Sequence, residues 1–502
     1  MSHWLGVAKA LVPMLVSVVV LGSLAAQGAL FLSAAFELRR TRGLDRYRQW
    51  RGAVRSHLAP RVSVLMPAYG EEASIVGSVT AVLSLSYPNL EVVVVNDGSK
   101  DRTLQALLDH FAMSAVHPAY EPLVSHAEVI GMYRSAREAR LVVVDKRNGG
   151  KADALNCALN IADGQLVCAI DADTLVDHDS LQHLVAPFIA NPEMVATGGT
   201  VRLVNDAQVK GSRVVASRVP RGLLAGAQVV EYLRAFLVGR LGWNPLGGNL
   251  LISGAFGVFQ RSALTEIGGY EHGSVGEDME LVVRLRRRGY ENKRPVPVLF
   301  SPDPVAWTEA PESLRTLARQ RNRWYRGLCD VLVRHRRMLF NPRYRSAGLL
   351  SMPYYLMVEA LAPVMEAVGL LLLVAGLLGG WIHPHELKIV GAAYALAASA
   401  AVAVLIFDDL AFRSYPGFSA RLRLAGLSLF EQIVFHPLTV AWRLWGLKHF
   451  IEGRQEWGAM VRQGFAHHVH MGHGHAAPAQ AAAATAATAE PAQDQMPELP
   501  LR

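Results

Sequence analysis

Apolar and polar positions divide the chain into stretches with different periods. Residues 10 to 36 carry no charge, and a helix of that length exceeds a hydrocarbon core of about 30 Å. The run is also too long for the apolar core of a cleaved signal peptide. Between about 60 and 335 the apolar residues instead come in short β-prone runs separated by helical stretches. Residues 62–67, 91–97, 141–145 and 165–170 read as strands; 73–85, a segment from about 101, and 151–162 read as helices. Strands alternating with helices imply βαβ units with right-handed connections, hence an α/β domain with a mostly parallel sheet. Apolar segments then return at 349–380, 388–407 and 424–447. The first contains Pro353, Glu359, Pro363 and Glu366, and reads as one broken span or as an interfacial helix leading into a span. The last is interrupted by Glu431, Gln432, His436 and Pro437. Carboxylates at membrane depth face a cavity or a partner, or else sit at the interface.

Composition sharpens this division. Of 502 residues 51% are hydrophobic, and the net charge is +8. The arginines cluster beside the apolar segments. Arg39, Arg40, Arg42, Arg46, Arg48 and Arg51 follow the first one, against a single Lys9 before it. That asymmetry is the positive-inside pattern, so the basic excess points to a membrane and not to nucleic acid, and it places the N-terminus outside and the following domain in the cytosol. Three C-terminal spans would then put Lys448, Arg454 and Arg462 outside; Pro437 offers a re-entrant hairpin as the other solution. Three cysteines, Cys157, Cys168 and Cys329, have neither metal-site nor disulfide spacing. The tail from about 466 is low-complexity, with His467, His468, His470, His473 and His475 before runs of alanine, and reads as disordered with adventitious metal binding.

Candidate chemistry falls where strands end. Asp171 and Asp173 follow the apolar run 165–170, and open α/β sheets bind ligands at the carboxyl ends of their strands. Paired carboxylates there suit Mg²⁺ or Mn²⁺, whose remaining ligands come from water and substrate phosphates; either could equally cap the next helix. Asp97 also ends a strand, where it can accept a hydrogen bond from a base edge or close an Asx turn. Lys151 follows Gly149-Gly150 at a helix start, an anion site suited to a diphosphate. Glu277 and Asp278 occupy the first turn of an amphipathic helix, as caps or, for one of them, as a general base. Gln320, Arg323 and Trp324 share one helix face by their spacing. A guanidinium can neutralise a departing diphosphate and an indole can stack on a sugar, or the same helix can lie basic and Trp-anchored at a membrane surface.

The order of these motifs resembles the processive family-2 inverting glycosyltransferases, the synthases of cellulose, chitin, hyaluronan and poly-N-acetylglucosamine. The resemblance rests on Asp97, Asp171-Ala-Asp173, Gly276-Glu277-Asp278 and Gln320-Arg-Asn-Arg323-Trp324 and covers about 62 to 450. Pro67-Ala-Tyr69-Gly70-Glu71-Glu72 and Lys151-Ala-Asp-Ala-Leu-Asn156 are similar to that family's nucleotide-binding segments. Gly276 stands where Thr is common, and Gly70 where Asn is common. The resemblance implies a GT-A-type fold flanked by N- and C-terminal transmembrane helices. It implies that Asp97 contacts the uracil of a UDP-sugar with Pro67, Tyr69 and Glu71 nearby, that Lys151, Asp171 and Arg323 engage the diphosphate, and that Asp171 and Asp173 hold Mg²⁺ or Mn²⁺. Asp278 is the implied base, and Glu277, Gln320, Trp324 and Gly254 the implied acceptor wall.

The expected organisation is an anchor with a basic flank over 1–45, a cytosolic transferase domain with an interfacial helix over 60–335, a transmembrane region over 345–450 and a tail over 466–502. The expected activity is transfer from UDP-glucose or UDP-N-acetylglucosamine to a growing β-linked polysaccharide at the inner (plasma) membrane, with export or regulatory subunits as further partners. Two rivals are a single transfer to a membrane lipid, and a scaffold with a degenerate transferase domain; the conjunction of Asp173, Asp278 and Arg323 speaks against the second.

Overall fold

The computed structural model describes residues 2–43, 51–210, 213–380 and 384–454. The basic positions at 46 and 48 and the tail from 466 lie outside the described residues. After the N-terminal helix α1 (Ser2–Gly43) come β1 (Val62–Ala68), α2 (Ile75–Leu83), β2 (Leu90–Asp97), α3 (Thr103–His110), β3 (Met113–Val116), β4 (Val129–Ser135) and β5 (Leu141–Lys146). Next are α4 (Lys151–Ile161), β6 (Leu166–Ile170), β7 (Leu175–Val176), α5 (Ser180–Ala190), β8 (Ala196–Leu203) and the hairpin β9 (Gln208–Lys210) and β10 (Arg213–Ala216). Then follow α6 (Leu223–Leu233), β11 (Phe256–Gln260), α7 (Glu277–Glu291), β12 (Val298–Thr308) and α8 (Leu314–Arg334).

Ten strands form one mixed sheet in the order β3-β4-β5-β2-β1-β6-β11-β8-β12-β7. The centre is parallel: β1 lies between β2, in register Val62↔Leu90, and β6, in register Val62↔Leu166. The antiparallel strands β4 and β11 flank this parallel centre. Period-2 alternation sends the two faces into different cores. Val64, Met66, Val92 and Val94 pack on one side with α2 and α5, while Leu65, Val93, Val95 and Val144 pack on the other with Leu155 and Leu159 of α4. A sheet covered on both faces accounts for the continuous apolar runs in its central strands. Those strands end together, so residues 67–68, 97 and 171 share one edge of the sheet.

Among the described residues four helical stretches are long and apolar enough to cross a membrane: Leu21–Thr41, Ala347–Leu378, Val390–Ala411 and Phe418–Ile451. The regular parts of the last three are α9 (Ala362–Leu378), α10 (Pro384–Ala411), α11 (Phe418–Phe430) and α12 (His436–Ile451). The run from 347 stays helical past Pro353 and Pro363 through π-type turns at Ala347–Ser351 and Tyr355–Leu361. The last one continues through Pro437 after a π-type turn at Glu431–Phe435 instead of reversing as a re-entrant hairpin. Such widened turns accommodate the proline ring and the hydrogen bond it cannot make.

Candidate active site

The strand ends open into a cavity of about 1100 Å³, and every site residue singled out from the sequence lines it: Pro67, Tyr69, Glu71, Asp97, Lys151, Asp171, Asp173, Gly254, Glu277, Asp278, Gln320, Arg323 and Trp324. The loop after β1 is tied to the segment after β2, because Gly70 N–H donates to Ser99 Oγ and Glu71 N–H to Thr103 Oγ1. Gly70 has φ +70°, a conformation open to Gly and tolerated by Asn, so the departure from the family pattern there is conformationally neutral. Tyr69 projects with 54% of its surface exposed.

Asp97 is buried, and its partners are protein groups. Oδ1 accepts from Lys146 Nζ (2.5 Å) and Gly149 N–H (3.0 Å); Oδ2 accepts from Gly150 N–H (2.8 Å) and the Asn148 amide (3.1 Å). Those four donors fill the lone-pair positions of a carboxylate. In this state Asp97 therefore shapes the Gly149-Gly150 turn rather than presenting free oxygens to a base. Gly150, at φ +89°, is the residue before α4, so the turn aims Lys151 into the cavity. Lys146 was not recognised from the sequence. It is fully buried between Asp97 and Asp153, and β2 and β5 pair Asp97 directly with it. Burial would lower the Lys146 pKa, but the two carboxylates outweigh burial and raise it.

Lys151 Nζ stands 2.6 Å from Asp171 Oδ1 and 3.4 Å from Glu277 Oε1. Burial opposes its charge; Asp171 and Glu277 more than compensate and hold its pKa well above the ordinary lysine value. The Glu277 pKa is raised, first by burial and then by Asp278 and Asp171, with Lys151 pulling the other way. Asp278 accepts a hydrogen bond from Met279 N–H at 2.8 Å. A Cβ added to Gly254 would lie 3.6 Å from both the Lys151 ammonium and Asp278 Cβ, so the glycine closes the wall between them. Gly276 approaches Gly327 of α8 so closely that a Cβ on it would sit 3.1 Å from Gly327 Cα. The two helices bearing the acidic pair and the Gln-x-x-Arg-Trp motif therefore meet backbone to backbone, and position 276 has no room for a threonine side chain without a shift.

Asp171 and Asp173 offer two hard oxygen donors from one turn, which suits a Mg²⁺ or Mn²⁺ ion completed by substrate phosphates and water. No group of three or more metal-ligating side chains occurs among the described residues.

Ser313 caps α8 by accepting from Thr316 N–H. Gln320 Oε1 is buried with no hydrogen-bond partner among the described residues, and Trp324 is 42% exposed. Further lining residues come from a part of the chain the sequence pattern did not single out, Glu231 and Tyr232 from α6, Phe236 from the π-type turn after it and Arg240 just beyond, and Tyr355, Glu359 and Arg443 come from the apolar segments. The carboxylates of the apolar segments are paired: Glu359 with Arg443 (3.6 Å), Glu366 with His436 (2.8 Å) and Glu431 with Arg234 (2.8 Å). Of the three, Glu359 faces the cavity.

The cavity at the carboxyl edge of this mostly parallel sheet is ringed by these motifs, and models of the glycosyl transferase class match the residues that build it. Residues 63–213 match the model of glycosyl transferase family 2 and residues 166–407 that of glycosyl transferase family group 2. Together the two matched regions run from 63 to 407, so this stretch carries family-2 glycosyl transferase domains. It is similar to the poly-β-1,6-N-acetyl-D-glucosamine synthase of Staphylococcus epidermidis, 28% identical over 303 residues, covering 60% of this chain and 61% of that one. The enzyme of the same name from Staphylococcus aureus (strain COL) is 29% identical over 276 residues, covering 54% of this chain and 56% of the relative. The chain thus spans about 60% of the length of the curated relatives it matches. Among solved structures, the mannosyltransferase PcManGT from Pyrobaculum calidifontis, in complex with GDP-Man and Mn²⁺, is 20% identical with a TM-score of 0.49, covering 80% of this chain and 99% of that one.

Proposed function

We propose that this protein is a membrane-embedded, metal-dependent inverting transferase that extends a β-linked polysaccharide from a UDP-sugar. Residues 60–335 form its cytosolic catalytic domain, and the apolar segments over 1–45 and 345–450 hold it in the inner (plasma) membrane. Among the sugars, N-acetylglucosamine is favoured by the names of the relatives. The observation that carries the reading is the shared cavity. Its roughly 1100 Å³ exceeds the 300–1,000 Å³ usual for a single small ligand, and it joins an anion-binding wall at the strand ends to an open indole and to groups from the apolar helices.

Tyr69, Pro67 and Glu71 border the nucleoside end, next to the turn that Asp97 shapes. Lys151 and Arg323 supply positive charge to the diphosphate, Lys151 exchanging part of its pairing with Asp171 for a phosphate oxygen. A divalent cation held by Asp171 and Asp173 would supply Lewis-acid stabilisation of the leaving diphosphate. Asp278 takes the proton from the acceptor hydroxyl, whose oxygen attacks the anomeric carbon from the face opposite UDP. One displacement inverts the centre, so an α-linked donor yields a β-linked product. Gln320 and Trp324 hold the sugar at the end of the acceptor, the indole against its apolar face, with Glu277 and Gly254 completing that wall.

The test offers each radiolabelled UDP-sugar separately to purified full-length protein in nanodiscs with Mg²⁺ or Mn²⁺. Label in high-molecular-weight material from one donor, absent with Asp278→Asn, is the expected result and identifies the sugar. Label confined to the lipid fraction would replace this reading with single transfer to a lipid.

A further inference from the structure

One contact beside the acceptor wall is built more elaborately than packing requires. Arg321 of α8 is 3% exposed, and its Nη2 donates to Glu231 Oε2 of α6 at 2.6 Å. Its guanidinium carbon stands 4.3 Å from the centroid of the Trp324 ring, one helical turn along. Among the described residues Glu231 is its hydrogen-bonding partner, because Nε and Nη1 are buried and make no hydrogen bond there. The guanidinium plane is therefore set by two things: the bond to Glu231 and the face of the indole. A planar guanidinium stacks on an aromatic face where an ammonium cannot. Trp324 is 42% exposed, so Arg321 covers one side of a ring that otherwise faces open space. Glu231, Arg321 and Trp324 all line the same cavity.

We propose that Glu231 and Arg321 are a positioning pair: Glu231 orients the Arg321 guanidinium, which holds the Trp324 indole in the plane that receives the terminal sugar of the acceptor. The pair acts through Trp324 and not on the donor. This inference rests on the transferase reading above and adds to it the residues that set the acceptor platform. Loss of Glu231 leaves the guanidinium charged but unoriented, so the indole samples other rotamers and acceptor binding weakens while the donor wall, built on the strand ends, is undisturbed. Arg321→Lys keeps the charge and loses the stacking plane, and does the same.

The experiment titrates a short β-linked acceptor oligosaccharide at saturating UDP-sugar, using full-length protein in nanodiscs, and separately titrates the donor. Glu231→Gln is measured in the wild-type and in the Trp324→Ala background. The expected result is a rise of about tenfold in acceptor KM on the wild-type background with donor KM unchanged within about twofold. In the Trp324→Ala background the same substitution has less than about a twofold effect, because the group it acts through is gone. Equal effects in both backgrounds, or parallel rises of donor and acceptor KM, would make the pair a plain structural fastening between α6 and α8 and overturn the proposal. Donor KM doubles as the check of folding; if Glu231→Gln does not fold, Arg321→Lys runs the same cycle with the same two outcomes. A wild-type protein that transfers no sugar to any acceptor would remove the transferase reading itself, and this inference with it.

Discussion

At the residue scale the site sets carboxylates against lysines: Asp97 and Asp153 meet Lys146, and Asp171 and Glu277 meet Lys151. Asp278 carries the chemistry in this account, and Asp278→Asn removes the base while leaving size and cavity shape. Transfer should fall by about a thousandfold with nucleotide affinity unchanged within about twofold, measured by label incorporation and by calorimetric titration of UDP. Lys151 compensates Asp171 and Glu277 together. Lys151→Met leaves both uncompensated, and about 2 kcal/mol of stability should be lost near neutral pH. The sign of its pH dependence follows from Glu277, whose pKa in the folded protein already lies above the ordinary 4.5. Between the ordinary and the raised value the folded state binds more protons than the unfolded one, so stability falls as pH rises through that window and is regained on acidification. Without Lys151 the Glu277 pKa rises further and the window widens. The thermal midpoint of Lys151→Met should therefore recover towards wild type as the pH is lowered towards 4.5, and a gap that stays constant on that descent would count against the pairing.

The residues legible in the sequence were those with a local signal: aspartates at strand ends, a lysine after two glycines, an i, i+3, i+4 triplet. Lys146, Glu231 and Arg240 carry none. Lys146 acquires its meaning from the register that pairs it with Asp97 across two strands, and Glu231 from a helix crossing that brings it to Arg321, 90 positions away. Arg240 lies over the ring of Phe236 at 3.8 Å, with its Nη1 buried and making no hydrogen bond among the described residues, an arrangement that no spacing rule encodes.

At the scale of elements, the central strands declared themselves because a sheet covered on both faces demands continuous apolar runs. The strands β4, β8 and β12 did not, since Gly, Thr, Ser or charged residues interrupt their apolar runs, as in Ala196–Leu203 (ATGGTVRL). The join between α7 and α8 depends on Gly276 facing Gly327. Gly276→Thr, which restores the residue common in the family, should here push the two helices apart. It should destabilise the protein by about 1–3 kcal/mol and lower transfer, because Asp278 and Trp324 sit on the two displaced helices. Thermal unfolding and label incorporation check this together; a neutral substitution would show that the helices can part without consequence.

At the scale of the whole molecule, the C-terminal apolar segments reach the cavity and give it Tyr355, Glu359 and Arg443 as one wall. The proposed topology can be read by labelling. The three native cysteines are buried, whereas Leu58 is 94% exposed on the catalytic-domain side of α1. A cysteine introduced as Leu58→Cys should react with an impermeant maleimide in inverted vesicles and not in intact cells. The reverse pattern would place the catalytic domain outside.

The central claim is that this cavity joins sugars by a single inverting displacement onto a growing chain. It is tested most directly by the anomeric configuration of the product that the purified protein makes from an α-linked UDP-sugar, read by proton NMR. The expected product is a polymer whose new linkages are all β. A product with α-linkages, or one sugar on a lipid and no polymer, would contradict it.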